Sequence, residues 1–296
     1  MNGRALLRLG RIPNVFTAAA NVVAGAMLAR GGGLRACDLA LAAASGCLYL
    51  AGMVLNDFFD REIDALERPE RPIPAGEVSP GTALALGTAL MGGGIGLAAW
   101  HSSTSGAVAA ALACAILLYD GGVKGSPLGP LAMGACRFLN VCLGLSVLGG
   151  AAPPERWMWI APLTMGAFTM AITVLSRDEV AGTSRARARE CALFIAGVPA
   201  AALVALVLFS PASHLGGFLW LAPFAAFVGW RLRGVLAPLV AEPSPAAVGR
   251  AIGGGILLMP AIDAAMVAAG GWPESALWVL ALTLPSLALK RWFYMT

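Results

Sequence analysis

Apolar stretches recur along this chain with only short polar breaks between them. They cover residues 13–30, 38–56, 82–100, 105–118, 128–150, 157–175, 191–209, 216–230, 251–269 and 274–289. Most approach the twenty or so residues that a helix needs to cross a bilayer, where every backbone amide must be paired within its own segment. The pattern therefore predicts an all-α, polytopic transmembrane helix bundle with nine core helices and a tenth if the last run also spans. Frequent Gly and Ala within the runs suit close helix packing in lipid. No long polar insert separates the runs, so residues 1–296 are expected to form a single integral membrane domain.

Composition strengthens this picture. Of the 296 residues, 58% are hydrophobic and 12% charged, far from the balance of a soluble domain. The net charge of +4 sits mainly on basic residues at the ends of apolar runs, where it sets topology or meets anionic lipid. That placement excludes a nucleic-acid-binding role. Cys37, Cys47, Cys114, Cys136, Cys142 and Cys191 form no CxxC pair and read as small apolar side chains. His101 and His214 fall in short polar connections, leaving haem or histidine-based metal chemistry without ligands.

Arg4, Arg8 and Arg11 precede the run from Val15 to Ala29, which is too long for a signal-peptide core and reads as a first spanning helix. If every run spans, the stretches 57–76, 177–189 and 231–250, Lys124 and Lys290–Arg291 share one side with the N-terminus, and the opposite connections carry only Arg35 and Arg156. The positive-inside rule makes the basic side cytoplasmic, with a bacterial inner membrane as the expected location. The longest connections, after residues 56, 118, 175 and 230, also lie there, as functional loops often do.

The first of these carries the chemistry. Asn56, Asp60 and Asp64 are spaced by four and Asp57 precedes Asp60 by three, so a helix continuing from the second span sets their oxygens along one stripe. Carboxylate and amide oxygens are the ligands hard magnesium ions take, with one or two carboxylates per ion as the usual number. Arg68, Arg71, Pro72, Pro74 and Gly76 follow: proline ends the helix, and the two guanidiniums offer forked donors to phosphate. Metal ligands followed by phosphate clamps describe a diphosphate site. The plainer account, a solvated helix end whose Asp, Glu and Arg pair with one another, explains neither the NDxxDxxxD order nor its place at a membrane helix.

The NDxxDxxxD order and the RPxPxG stretch that follows it resemble the UbiA superfamily of membrane prenyltransferases. A second block, Tyr119-Asp120-Gly121-Gly122-Val123-Lys124, leads into a span bearing Arg137 and Asn140 and is similar to the EboC-like branch of that superfamily. Arg137 and Asn140 share a helical face, and an arginine inside a span is costly unless paired. Lys124 either contacts phosphate or only signals topology. Arg11-Ile12-Pro13-Asn14 resembles the superfamily's opening pattern; Asn14 and Asn21, two turns apart, either face a cavity or hydrogen-bond between helices. The superfamily's second motif, DxxDxxxD, corresponds here to residues 175–182, where Asp178 and Glu179 stand but Leu175 and Gly182 occupy the outer aspartate positions. Either one magnesium then binds strongly, or Asp178 and Glu179 merely cap a helix.

The resemblance implies Mg-dependent transfer of a prenyl group from a prenyl diphosphate donor to an unidentified, lipophilic or aromatic small-molecule acceptor, within membrane lipid. Asn56, Asp57, Asp60, Asp64, Asp178 and Glu179 become the expected metal ligands. Asp60, Asp64, Lys124 and Arg137 become the expected catalytic groups, and Asn14, Asn21, Arg68, Arg71, Tyr119 and Asn140 the substrate contacts. Two rivals stand beside it. A CDP-alcohol phosphotransferase would need a DGxxAR signature, which Asp120-Gly121-Gly122-Val123-Lys124 lacks; a transporter or catalytically retired scaffold would fit the incomplete second motif.

Overall fold

A computed structural model describes residues 3–149, 154–179, 182–210 and 215–290. Val180, Ala181, His214 and Arg291, which the sequence places in loops or at the last helix end, lie outside the described residues. Every regular element among the described residues is helical. Among the described residues nine helices are long and apolar enough to cross a membrane, as the apolar runs predict.

A short α1 (Gly3–Leu9) precedes α2 (Val15–Ala29), α3 (Leu39–Phe59) and a seven-residue α4 (Arg61–Glu67). Then come α5 (Pro80–His101), α6 (Ser103–Leu118), α7 (Gly129–Leu145) and α8 (Ile160–Ser176). The chain continues through α9 (Arg185–Phe209), α10 (Leu215–Ala241), α11 (Pro245–Ala269), α12 (Pro273–Ala281) and α13 (Thr283–Leu289).

Three boundaries differ from the apolar runs. α9 begins at Arg185 rather than near 191, because the Ser184 hydroxyl accepts from the Arg187 amide and caps a basic first turn. α10 continues past Trp230 to Ala241, carrying Arg231 and Arg233 in a helix rather than a loop. The final run is broken at Leu282 into α12 and α13 and supplies no tenth long helix. Pro285 sits in the first turn of α13, where its missing amide costs least, so it marks a helix start.

The solvent these helices expect is visible in their exposed faces. In the spanning part of α9 only 28% of residues are buried, yet Leu193, Phe194, Leu208 and Phe209 point outward. Apolar all round but buried on one side only is the pattern of a helix facing lipid, and the chain is an integral membrane protein. α11 is the opposite, with 83% of its spanning residues buried as the central post against α2, α8, α10 and α12. Close approach rather than apolar burial sets the helix contacts. A Cβ on Gly25 of α2 would fall 2.6 Å from the Val141 carbonyl oxygen of α7, and one on Gly144 of α7 would fall 2.2 Å from that of Val22. Small residues here let two backbones touch, which drives association where lipid removes the hydrophobic incentive.

Candidate active site

The end of α3 builds the first wall. Its helix gives way to α4 at Asp60, but the backbone bonding keeps step: the Asp60 amide donates to Asn56 O (2.9 Å), Asp64 to Asp60 O (2.8 Å) and Arg68 to Asp64 O (2.8 Å). Side chains four apart therefore stay in register. After Arg68 the chain folds back on itself, with the Val78 amide donating to Pro72 O (3.0 Å) and Gly76 turning through a φ of 72° that favours glycine. Ile73 and Val78 plug this loop into an apolar cluster with Leu9, Val54 and Ala83. Arg8 of α1 clasps it from outside through Glu77 (3.2 Å) and the Glu70 carbonyl (2.8 Å).

So anchored, the loop turns Arg71 back under the acidic helix. Its guanidinium meets Asp64 at 2.6 Å and Asp57 at 3.3 Å, both carboxylates being buried. Arg11 approaches Asp57 from the other side at 3.3 Å. Arg11 itself has φ 42°, a left-handed backbone that a long side chain rarely adopts and that is worth noting beside a polar cavity.

The second wall comes from α6 and α7. Past Leu118 the helix widens into a π-helical turn, Tyr119–Val123, an irregularity frequent at functional sites. The turn brings Asp120 against the Asn56 amide (2.8 Å) and Lys124 into an ion pair with Asp60. Arg177, at the end of α8, donates to the Ser126 carbonyl, so the connections after α3, α6 and α8 meet at one end of the bundle.

Between them lies a cavity of about 260 Å³. Asn14, Asn56, Asp60, Arg68, Arg71, Tyr119, Lys124, Arg137 and Glu179, all expected from the sequence, line it. Asp57 lines instead an adjoining outer pocket with Arg8, Arg11, Arg68 and Glu70, while Asp64 is taken up by Arg71. Asp178 is not on the cavity wall; its carboxylate is bound by Arg187 Nε of α9 at 2.6 Å. Asn21 and Asn140 are buried beside Arg137 and off this wall, and Asn140 lines an adjoining cavity. Arg137 Nη1 donates to Asn21 Oδ1 (2.9 Å), Nη2 to Thr17 Oγ1 (3.1 Å), and Asn140 Nδ2 donates to the Ala18 carbonyl (2.8 Å).

A second, largely apolar cavity adjoins the first, sharing Tyr49, Met53, Tyr119, Met133 and Arg137 and continuing past Leu48, Gly52, Leu112 and Ile116. Several polar groups of this region escaped the sequence reading. Arg11 was read as a topology charge and as part of the opening pattern but not as a site residue, and Thr169 and Thr173 of α8 sit on a cavity wall inside an apolar run. Asp263 of α11 is fully buried in mid-helix and accepts a hydrogen bond from Asn21 Nδ2 at 2.6 Å.

Could the residues present hold a magnesium ion? Asp60, Glu179 and Asn56 give the cavity two carboxylates and an amide oxygen, the hard donors and the carboxylate number that magnesium prefers. Asp57 and Asp64 are already neutralised by arginine. The donor set fits.

The fold and site thus define a class: a polytopic helical membrane protein whose acidic and basic residues converge on one polar cavity with an apolar extension. The UbiA prenyltransferase family model matches residues 18–248, and the chain belongs to that family. Among curated proteins it is 39% identical to a digeranylgeranylglyceryl phosphate synthase of Halobacterium salinarum, over 155 residues that make up 51% of this chain and 53% of that protein. The chain spans only 53% to 58% of the length of the first such relatives. Among solved structures, a UbiA homologue from Aeropyrum pernix K1 superposes with a TM-score of 0.67 at 19% identity, over 86% of this chain and 96% of that one. A UbiA homologue from Archaeoglobus fulgidus bound to GPP and Mg2+ gives 0.64 at 14% identity, over 94% and 99%. At such identities these structures speak to the fold alone.

Proposed function

We propose that this protein transfers a prenyl group from a prenyl diphosphate to a lipophilic acceptor in a magnesium-dependent reaction. One observation carries the reading: a single cavity holds oxygen ligands (Asp60, Glu179, Asn56) beside phosphate-type donors (Arg68, Arg71, Lys124) and adjoins an apolar pocket of the kind a hydrocarbon tail requires. Family membership supports the same chemistry, as does the GPP and Mg2+ bound by the Archaeoglobus fulgidus homologue.

In this mechanism the tail enters the apolar pocket and the diphosphate is drawn to Arg68, Arg71 and Lys124. Asp60 and Glu179, with Asn56, would hold magnesium, which would supply electrophilic stabilisation to the leaving diphosphate. The allylic C–O bond breaks and its electron pair leaves with the diphosphate; the acceptor attacks the allylic carbon and gives up its proton. Lys124, paired with Asp60 on the same cavity wall, would present its remaining N–H donors to phosphate oxygens. Arg71 keeps Asp57 and Asp64 from repelling one another while itself lining the cavity. The cavity end faces the cytoplasm in this proposal, on the strength of the basic residues flanking it. The acceptor follows from the relatives rather than from this chain: their name makes a prenylated glycerol phosphate the first to assay, ahead of aromatic acceptors.

The test is a product screen on purified protein, pairing geranyl and geranylgeranyl diphosphate with glycerol phosphate ethers and with aromatic acceptors. A prenylated product that disappears with EDTA and returns with magnesium is expected. No product from any pairing, together with flux of a prenyl diphosphate across vesicle membranes, would instead establish the transporter alternative.

A further inference from the structure

An ionisable residue inside a spanning helix is expensive and marks a function, with a partner to be found. Asp263 is such a residue. It stands six residues from the end of the most buried helix, fully shielded from solvent and flanked by Ile262 and Ala264, themselves buried. Arg137 on α7 is a second, and it lies at the neck shared by the polar and apolar cavities. Among the described residues no carboxylate pairs with it, and its guanidinium donates to neutral oxygens, Asn21 Oδ1 and Thr17 Oγ1, with the Tyr49 ring 6.0 Å away.

Asn21 joins the two. Its oxygen accepts from Arg137 at 2.9 Å and its nitrogen donates to Asp263 Oδ2 at 2.6 Å, so the amide lies between a cation and an anion and its orientation is dictated by both. The other carboxylate oxygen, Oδ1, is buried without a hydrogen-bond partner among the described residues. A group serving only to tie α2 to α11 would be served better by a neutral amide or hydroxyl, which avoids burying an unsatisfied charged oxygen. What a carboxylate adds is countercharge.

We propose that Asp263 is a positioning residue for Arg137, acting through Asn21: its negative charge fixes the amide with the oxygen toward α7 and thereby holds the guanidinium at the cavity neck. The inference rests on the prenyl-transfer reading and deepens it, giving the site a charge relay that spans α11, α2 and α7.

Two variants test it. Asp263→Asn keeps an acceptor oxygen but removes the charge, and kcat/KM for prenyl transfer should fall about tenfold or more, the scale of losing a hydrogen bond network to a charged group. The exchange Asn21→Asp with Asp263→Asn moves the carboxylate one step closer to Arg137 while keeping one acid, one amide and their hydrogen bond; activity should return to within about threefold of the wild type, a non-additivity that marks a shared network. Thermal melting in detergent is followed alongside. A purely structural role predicts lower melting of Asp263→Asn with unchanged kcat/KM of the folded protein, and that result overturns the proposal, as does a folded exchange variant with no recovery. A wild-type chain that turns over no prenyl diphosphate sinks the functional reading and this inference with it, whereas wild-type turnover unaffected by Asp263→Asn removes the inference alone.

Discussion

Two acidic segments end spanning helices in this protein, and the fold treats them differently. Residues 56–64 run from the last turn of α3 into α4, and their carboxylates are met by cations folded in against the bundle: Asp57 by Arg11 and Arg71, Asp64 by Arg71, Asp60 by Lys124. Residues 175–179 close α8, and there Asp178 is claimed by Arg187, a half-exposed side chain on α9. Leu175 is fully buried in the main core cluster. Gly182 takes a φ of 75°, and a Cβ on it would come within 3.3 Å of Pro245. The two positions that depart from the acidic pattern are thus built into packing and backbone, and of the two acids in this segment Glu179, not Asp178, lines the cavity. What separates the segments is less the number of acids than where their basic partners stand. Arg11 and Arg71, themselves shielded, hold their carboxylates inward, and half-exposed Arg187 ties Asp178 to the rim.

The largest effect should fall on the first segment. Asp60→Ala is expected to lower kcat by about a thousandfold or more, the scale on which electrostatic stabilisation of a leaving group is lost when a key contact is deleted, and Asp64→Ala, which acts only through Arg71, by less. Membrane insertion should be unaffected, because neither change removes apolar surface. Asp178→Ala in the second segment should cost far less. Product formation by purified variants decides it, and near-normal turnover of Asp60→Ala would remove the metal assignment and level the two segments.

Removing the partners instead of the acids sharpens the same contrast. Arg71→Leu leaves Asp57 and Asp64 buried with one guanidinium fewer between them, and breaking a buried pair by deleting one partner is strongly destabilising. A drop of about tenfold to a hundredfold in kcat/KM is expected, together with a lower melting temperature, since an unpaired buried carboxylate is the costly outcome. Arg187→Leu frees a half-exposed side chain at the rim, where ion pairs contribute about 1 kcal/mol at most, and melting should scarcely move. Equal loss of melting temperature in both variants would contradict the distinction drawn between inward and rim-bound acids.

Much of this was legible in the chain because its signals are local. Apolar runs announce spanning helices, and the i, i+4 spacing of Asn56, Asp60 and Asp64 survives the break at Asp60 because backbone hydrogen bonding continues through it. What stayed hidden depends on distant partners. Asp263 lies in an apolar run with no motif around it, and its partner Asn21 is 242 positions away. Arg11 looks like any basic residue before a first span until its backbone turns left-handed and aims it at Asp57. Asp120 could be quoted within its block, yet nothing local shows that the π-helical turn swings it onto Asn56. The end of α9 was misplaced for a simpler reason: Arg185, Arg187 and Arg189 read as loop charge, while the Ser184 cap lets a helix start there.

The smallest effect asks how far the second segment still serves magnesium. Glu179 lines the cavity and Asp178 does not, so the two adjacent acids make opposite forecasts from one short stretch of chain. Glu179→Gln removes a charged oxygen from the proposed donor set and keeps its volume; the magnesium concentration giving half-maximal activity should rise by about threefold to tenfold, since affinity for hard cations follows the number of charged ligands. Asp178→Asn loses its charge opposite Arg187 but keeps an oxygen that can still accept from Nε, so the half-point should stay within about twofold, in keeping with the small worth of rim ion pairs. A magnesium titration of both variants in detergent, with manganese binding read independently of turnover, separates the two. A raised half-point in Asp178→Asn with none in Glu179→Gln would reverse the assignment, which requires Asp178 to leave Arg187 and turn inward when the cation binds.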